Sequence, residues 1–184
     1  MLGDLNDLAE IFGKPQVMKY LGLKGEPFSR GETEIFLLSI LKHWKQYNFG
    51  RWAIILKEDG RLIGCSGLRS YEKDVELVYL IDESEWGKGL ATEAAIASLG
   101  FGFIKRNFQK IIAFTRPSNI ASRKVMEKIG MRYVKEVNIF EVLAVQYDIT
   151  RQQFLSADFH CRTRKGKSSV LSDEHFSDCL SAVE

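Results

Sequence analysis

A few short stretches hold residues whose types and spacing can do chemistry. Gly87-Lys88-Gly89 stands where an apolar run gives way to an alanine-rich one. Closely spaced glycines let the backbone approach a ligand, and the first amides of a following helix lack intrahelical partners. The helix dipole adds positive potential and Lys88 a full charge, so this turn suits a phosphate or pyrophosphate. Just upstream, Glu76 lies inside Val75-Glu76-Leu77-Val78-Tyr79-Leu80-Ile81 and shares a strand face with Val78 and Leu80. An acid there must be paired, desolvated or functional. Downstream, Ser122 follows Asn119 by one helical step and falls on its helix face. Glu141 sits at an expected strand junction.

The elements that must position these groups can be read from periodicity. Leu5, Leu8, Ile11 and Phe12 recur at helical steps, with Asp4 or Asn6 available as cap. Val17 to Leu21 is a short second piece. Ser29 starts a longer helix in which Ile35, Leu37, Leu38, Ile40, Leu41 and Trp44 follow a helical rhythm until Asn48-Phe49-Gly50. Trp52–Leu56, Leu62–Leu68 and Val75–Ile81 read as three antiparallel strands, the first two joined through Glu58-Asp59-Gly60. A helix from about Thr92 to Arg106 and a strand at Ile111–Thr115 complete a parallel crossover. Asn119 caps a helix ending at Gly130, and strands near Met131–Phe140 and Leu143–Arg151 close the domain.

Three kinds of phosphate site compete for the glycine turn. A Walker-type loop needs Ser or Thr directly after the Gly-Lys pair and an earlier glycine; Gly89 and Asp82 occupy those places. A dinucleotide fingerprint needs a third glycine where Thr92 stands, and a first strand far earlier in the fold. A coenzyme A pyrophosphate loop tolerates Ala91 and follows three antiparallel strands, as here.

Size and charge narrow the class. A chain of 184 residues suits one domain. Hydrophobic residues make up 45% and charged ones 27%, ordinary globular usage. A net charge of +2 argues against a nucleic-acid or membrane-surface partner. Cys65, Cys161 and Cys179 are too few and scattered for a disulfide scaffold, so a cytoplasmic setting is expected. His160, Cys161, His175 and Cys179 lack zinc-site spacing, and no metal is expected. The domain is placed at 1–154. The last stretch, 155–184, has six serines and a basic run at Arg162–Lys167, and reads as a disordered tail.

The run Val75-Glu76-Leu77-Val78-Tyr79, the segment Trp86-Gly87-Lys88-Gly89-Leu90-Ala91-Thr92-Glu93-Ala94 and the segment from Asn119 to Met131 together resemble the GNAT N-acetyltransferase superfamily, in its RimJ/RimL-like branch. The likeness covers roughly residues 5–154. It implies an α/β (α+β) fold: a mixed, mostly antiparallel twisted sheet with flanking helices, splayed between the strands at 75–81 and 111–115. It also implies acetyl-CoA as co-substrate. Leu80 and Ile81 would pair with the pantetheine arm, Trp86, Gly87, Lys88, Gly89, Leu90, Ala91 and Thr92 would surround the pyrophosphate, and Asn119 would fix the cofactor from the next helix. Family members begin with a strand that this chain lacks, so the first edge strand is expected to be missing.

Acetyl transfer needs a neutral amine, a polarised carbonyl and a proton for the departing thiolate. Glu76 is the leading general base and Glu141 the alternative. Ser122 is the implied source of a hydroxyl near the sulfur, since Met126 stands where many members carry a tyrosine acid. Tyr79, on the opposite strand face from Glu76, reads as packing, and His43 as a surface residue. The expected acceptor is a small-molecule amine or a protein N-terminus, attacked directly in a ternary complex by a monomer or homodimer. A non-catalytic acyl-CoA-binding module is the competing expectation.

Overall fold

Helix boundaries follow local chemistry in the computed structural model, which describes residues 2–22 and 24–157. Helix α1 (Leu5–Phe12) buries Leu5, Leu8, Ile11 and Phe12. The short α2 (Pro15–Met18) begins on a proline, whose fixed φ suits a first turn. Ser29 opens α3 (Arg30–Tyr47) through a capping box: its amide donates to Glu32 Oε2 at 2.8 Å, and the Glu32 amide donates to Ser29 Oγ at 3.3 Å. Asn48 stops α3 in the left-handed conformation.

Strands β1 (Arg51–Ile55), β2 (Leu62–Tyr71) and β3 (Asp74–Ile81) form an antiparallel meander. Helix α4 (Leu90–Gly100), continued by a π-helical turn at Phe101–Lys105, leads to β4 (Lys110–Thr115). Helix α5 (Ile120–Lys128), the hairpin β5 (Arg132–Ile139) and β6 (Val142–Thr150), and α6 (Arg151–Ser156) follow. The order across the sheet is β1-β2-β3-β4-β6-β5. Among the described residues only β3 and β4 pair in parallel; their neighbours pair antiparallel. No strand precedes α1 there. Helix α6 carries ordered chain just past 154 and buries Phe154. The expected tail from residue 158 on, with its His, Cys and basic residues, lies outside the described residues.

The sheet has two apolar faces. Leu77, Leu99, Phe103, Ile111, Met126 and Ile149 form a core on the α4 and α5 side. Leu5, Leu8, Phe12, Leu37, Cys65 and Leu80 form another under α1 to α3. Helix α3 departs from its expected packing. Of its rhythmic apolar residues only Leu37 is buried; Ile35 is 69% exposed and Leu38 49%. The helix rests largely on α1, through edge-to-face contacts of Phe36 with Phe12 and Phe28, so only one narrow stripe is covered. His43 is not a free surface residue either. Its Nε2 accepts the Ser70 amide at 2.9 Å, which leaves Nδ1 to donate to the Phe49 carbonyl at 2.8 Å.

Candidate active site

The sheet opens in its middle. Strands β3 and β4 share one bridged pair, Glu76 with Ile112, and part beyond it. Alternation decides which backbone groups face the gap. The Asp82 amide donates to the Ile63 carbonyl at 2.7 Å, and a Cβ on Gly64 would run into the Leu80 carbonyl, so both groups point toward β2. The N–H and C=O of Tyr79 and Ile81 therefore point the other way, toward β4. Leu80, expected at the gap beside Ile81, turns its backbone to β2 instead, and Tyr79 takes its place. The Ile81 carbonyl accepts the Trp86 indole N–H at 2.8 Å, which pins the start of the glycine turn to the strand end.

At the mouth of the gap, Gly87 (φ 79°) and Gly89 (φ 84°) are left-handed, and a Cβ on either would meet nothing within 4 Å. That conformation costs other residues about 1–2 kcal/mol, and glycine escapes the cost. Gly89 caps α4 without any side-chain bond, so the first-turn amides at Leu90, Ala91 and Thr92 are offered outward. This arrangement fits a diphosphate. Lys88 contributes less charge than expected, because its Nζ bonds Glu85 Oε2 at 2.8 Å. Glu85 is buried and is held below the usual carboxylate range by Lys88 first and Arg61 second.

Glu76 stands at the apex of the gap, 4% exposed, on the α1–α3 side of the sheet. Its Oε2 accepts from Arg69 Nε at 2.6 Å across β2 and β3. Burial raises its pKa, against the opposing pull of Arg69 and of Arg51. It is thus both paired and desolvated.

On the other face stands Tyr79, which the sequence reads only as packing. The Tyr79 hydroxyl lies 2.8 Å from Ser122 Oγ and donates to the Ser122 carbonyl at 3.1 Å, bridging β3 and α5. Burial pushes its pKa up to about 12, with the Ser122 bond acting the other way. Asn119 caps α5 by accepting the Ser122 amide at 3.1 Å, so its position also fixes that serine. Met126 points into the core. The signal for Tyr79 was its alternation against Glu76, but alternation does not say which face α5 covers.

Glu141 is not brought to this centre. It and Phe140 form the turn of the β5–β6 hairpin with positive φ, and both are exposed. Ile112, level with Glu76, pairs with Asp148, and β6 from there to the turn runs on the order of 20 Å. Cys65 is buried beside Leu80, and desolvation raises its thiol pKa, so it stays protonated. Among the described residues no group of His, Cys, Asp and Glu is placed to hold a metal ion.

A parted parallel strand pair, a glycine turn with outward first-turn amides at its mouth and a buried carboxylate at its apex form one candidate active site. The chain belongs to the GNAT acetyltransferase family: the acetyltransferase (GNAT) domain matches residues 1–132. It is 34% identical over 132 residues to YkkB of Bacillus subtilis, covering 69% of this chain and 74% of that protein. The crystal structure of a GNAT-family acetyltransferase from Bacillus anthracis superposes with a TM-score of 0.72 at 26% identity, over 83% of this chain and 92% of the other. Spermidine N-acetyltransferase from Vibrio cholerae, crystallised with CoA and spermine, shares the fold with a TM-score of 0.71 at 21% identity, over 85% and 95%. The protein is an acetyltransferase. No helix among the described residues is long and apolar enough to cross a membrane.

Proposed function

We propose that the protein transfers the acetyl group of acetyl-CoA to a primary amine by direct attack within a ternary complex. The observation that carries this reading is the single Glu76–Ile112 bridge, beyond which the Tyr79 and Ile81 backbone faces an open gap that leads to Gly87–Thr92. An amide-bearing arm can lie along such an edge as an added strand. When bound, the thioester supplies an electrophilic carbonyl and a thiolate leaving group.

Glu76 takes the proton released by the attacking amine, directly or through one water. Its raised pKa makes it a better base than an ordinary carboxylate, and Arg69 holds its orientation. An acceptor of the α-amine kind, with pKa about 7.8 against about 10.4 for a lysine, asks less of that base by roughly 3.5 kcal/mol at neutral pH. On the opposite face the Ser122 hydroxyl, held beside Tyr79, offers a hydrogen bond to developing charge on sulfur. With its pKa near 12, Tyr79 stays protonated and keeps donating to the Ser122 carbonyl, while solvent returns the proton to the thiol. No covalent intermediate is needed, in keeping with the buried thiol of Cys65.

Asn119 holds the α5 end of this site, and Glu141 has no part in it. The cytoplasm, where acetyl-CoA and free amines meet, is the proposed setting. The test is thiol release from acetyl-CoA across a panel of amino acids, peptides with free N-termini, polyamines and aminoglycosides. Amine-dependent release with one acetylated product per thiol is expected. Acetyl-CoA binding without turnover on any amine would contradict the reading.

A further inference from the structure

A second cleft, of about 260 Å³, lies between α3 and the sheet on the Glu76 side, lined by Phe36, Ser39, Ile40, His43, Arg51 and Arg69, with Leu68 at its floor. Its charge is unbalanced. Arg69 already bonds Glu76. Arg51 stacks over the Phe36 ring at 4.8 Å, and among the described residues no carboxylate lies within ion-pair distance of its guanidinium. His43 adds no charge while its Nε2 accepts from Ser70. Two guanidiniums therefore face one carboxylate.

Position ties this cleft to the reaction centre. Arg51 pairs with Gly67 of β2, Gly67 pairs with Val78 of β3, and Arg69 pairs with Glu76. Gly67 has no side chain, so on β2 only Arg69, which bonds Glu76, stands on this face between Arg51 and Glu76. The charge of Arg51 is felt at Glu76. A stacked, desolvated guanidinium is suited to a planar carboxylate and hostile to a polycation. The volume is below the roughly 300–1,000 Å³ of drug-sized sites, so it suits a molecule of amino-acid size.

We infer that the acceptor is a small amino carboxylate, whose acid group is held by Arg51 while its amine is presented to Glu76. This rests on the acetyl-transfer reading above and names its substrate class. Polyamines, which would bring positive charge against Arg51 and Arg69, are excluded by the same geometry.

The experiment measures kcat/KM for the full chain with acetyl-CoA and the standard amino acids, each beside its carboxamide, with spermidine as a further arm. At least one free acid should exceed its own amide by roughly 10- to 100-fold, the factor that charge-assisted hydrogen bonds supply. In Arg51→Gln that ratio should collapse through KM. The thermal shift given by acetyl-CoA serves as the check that the variant is folded. Turnover with amides or spermidine equal to or better than the acids would overturn the carboxylate assignment and leave the acetyltransferase reading standing. A ratio that survives in folded Arg51→Gln would overturn the role of Arg51. Absence of thiol release with every amine, peptides included, would instead overturn the acetyl-transfer reading itself.

Discussion

Glu76 is held between opposing influences, and its chemistry depends on their balance. Burial disfavours its charge, while Arg69 at 2.6 Å and Arg51 favour it. A base must be ionised, so kcat falls as pH drops through the raised Glu76 pKa, above the ordinary carboxylate value of about 4.3. Arg69→Met removes the main opposing charge, and the Glu76 limb of the pH profile should move to higher pH. The acceptor amine contributes its own limb, which should stay fixed in the variant. Glu76→Gln should cost roughly 100- to 10,000-fold in kcat, the usual scale of general-base catalysis, with acetyl-CoA binding near normal. Steady-state kinetics across pH on the three proteins checks both; an unmoved profile would remove Glu76 from the base role. The linked effect on stability runs opposite to the effect on kcat. Because the folded-state pKa is raised, ionising Glu76 costs stability as pH rises from its unfolded value through the folded one, more so without Arg69.

At the scale of elements, the glycine turn takes the left-handed form that its two glycines permit. Gly87 and Gly89 are left-handed, and α4 begins at Leu90 with its first amides free. Both Gly89→Ala and Gly89→Glu incur a left-handed strain of about 1–2 kcal/mol. Only the glutamate also brings negative charge to the proposed diphosphate site. Thermal-shift titration with acetyl-CoA should therefore show stabilisation reduced in Gly89→Ala and absent in Gly89→Glu; an equal response in both would place the diphosphate elsewhere. The strands were legible because dense apolar runs and Gly60 mark them within a few residues. Less legible was what depends on partners distant in sequence. The rhythm of α3 implied a broad buried face, but α3 leans on α1 and leaves Ile35 and Leu38 in solvent. The charge of Lys88 looked available until Glu85 folded back onto it. Tyr79 read as packing because the face covered by α5 is a tertiary fact. For Leu80 and Tyr79, the choice turned on strand register, which alternation alone leaves open.

Across the whole molecule, the parting of β3 from β4 sets the proposed diphosphate end apart from the proposed acceptor end. Gly87–Thr92 lie at the mouth and Glu76 at the apex, with Arg69 beside it on β2 and Arg51 further out on β1 under α3. The Lys14–Asp82 ion pair, 2.8 Å long, fastens the α1–α2 layer to the end of β3, so the acceptor side and the gap are held in one frame. Burial opposes the charge of Asp82, yet the Lys14 ammonium and the Ser84 amide keep it below the usual carboxylate range. The central claim is that the open β3 edge and the glycine turn together hold one ligand. Site-resolved amide hydrogen exchange, with and without saturating acetyl-CoA, tests it most directly. Exchange should slow at Tyr79 and Ile81 and across Gly87 to Thr92, with β5 unchanged. Unaltered exchange at those amides, or slowing confined to other parts of the chain, would contradict it.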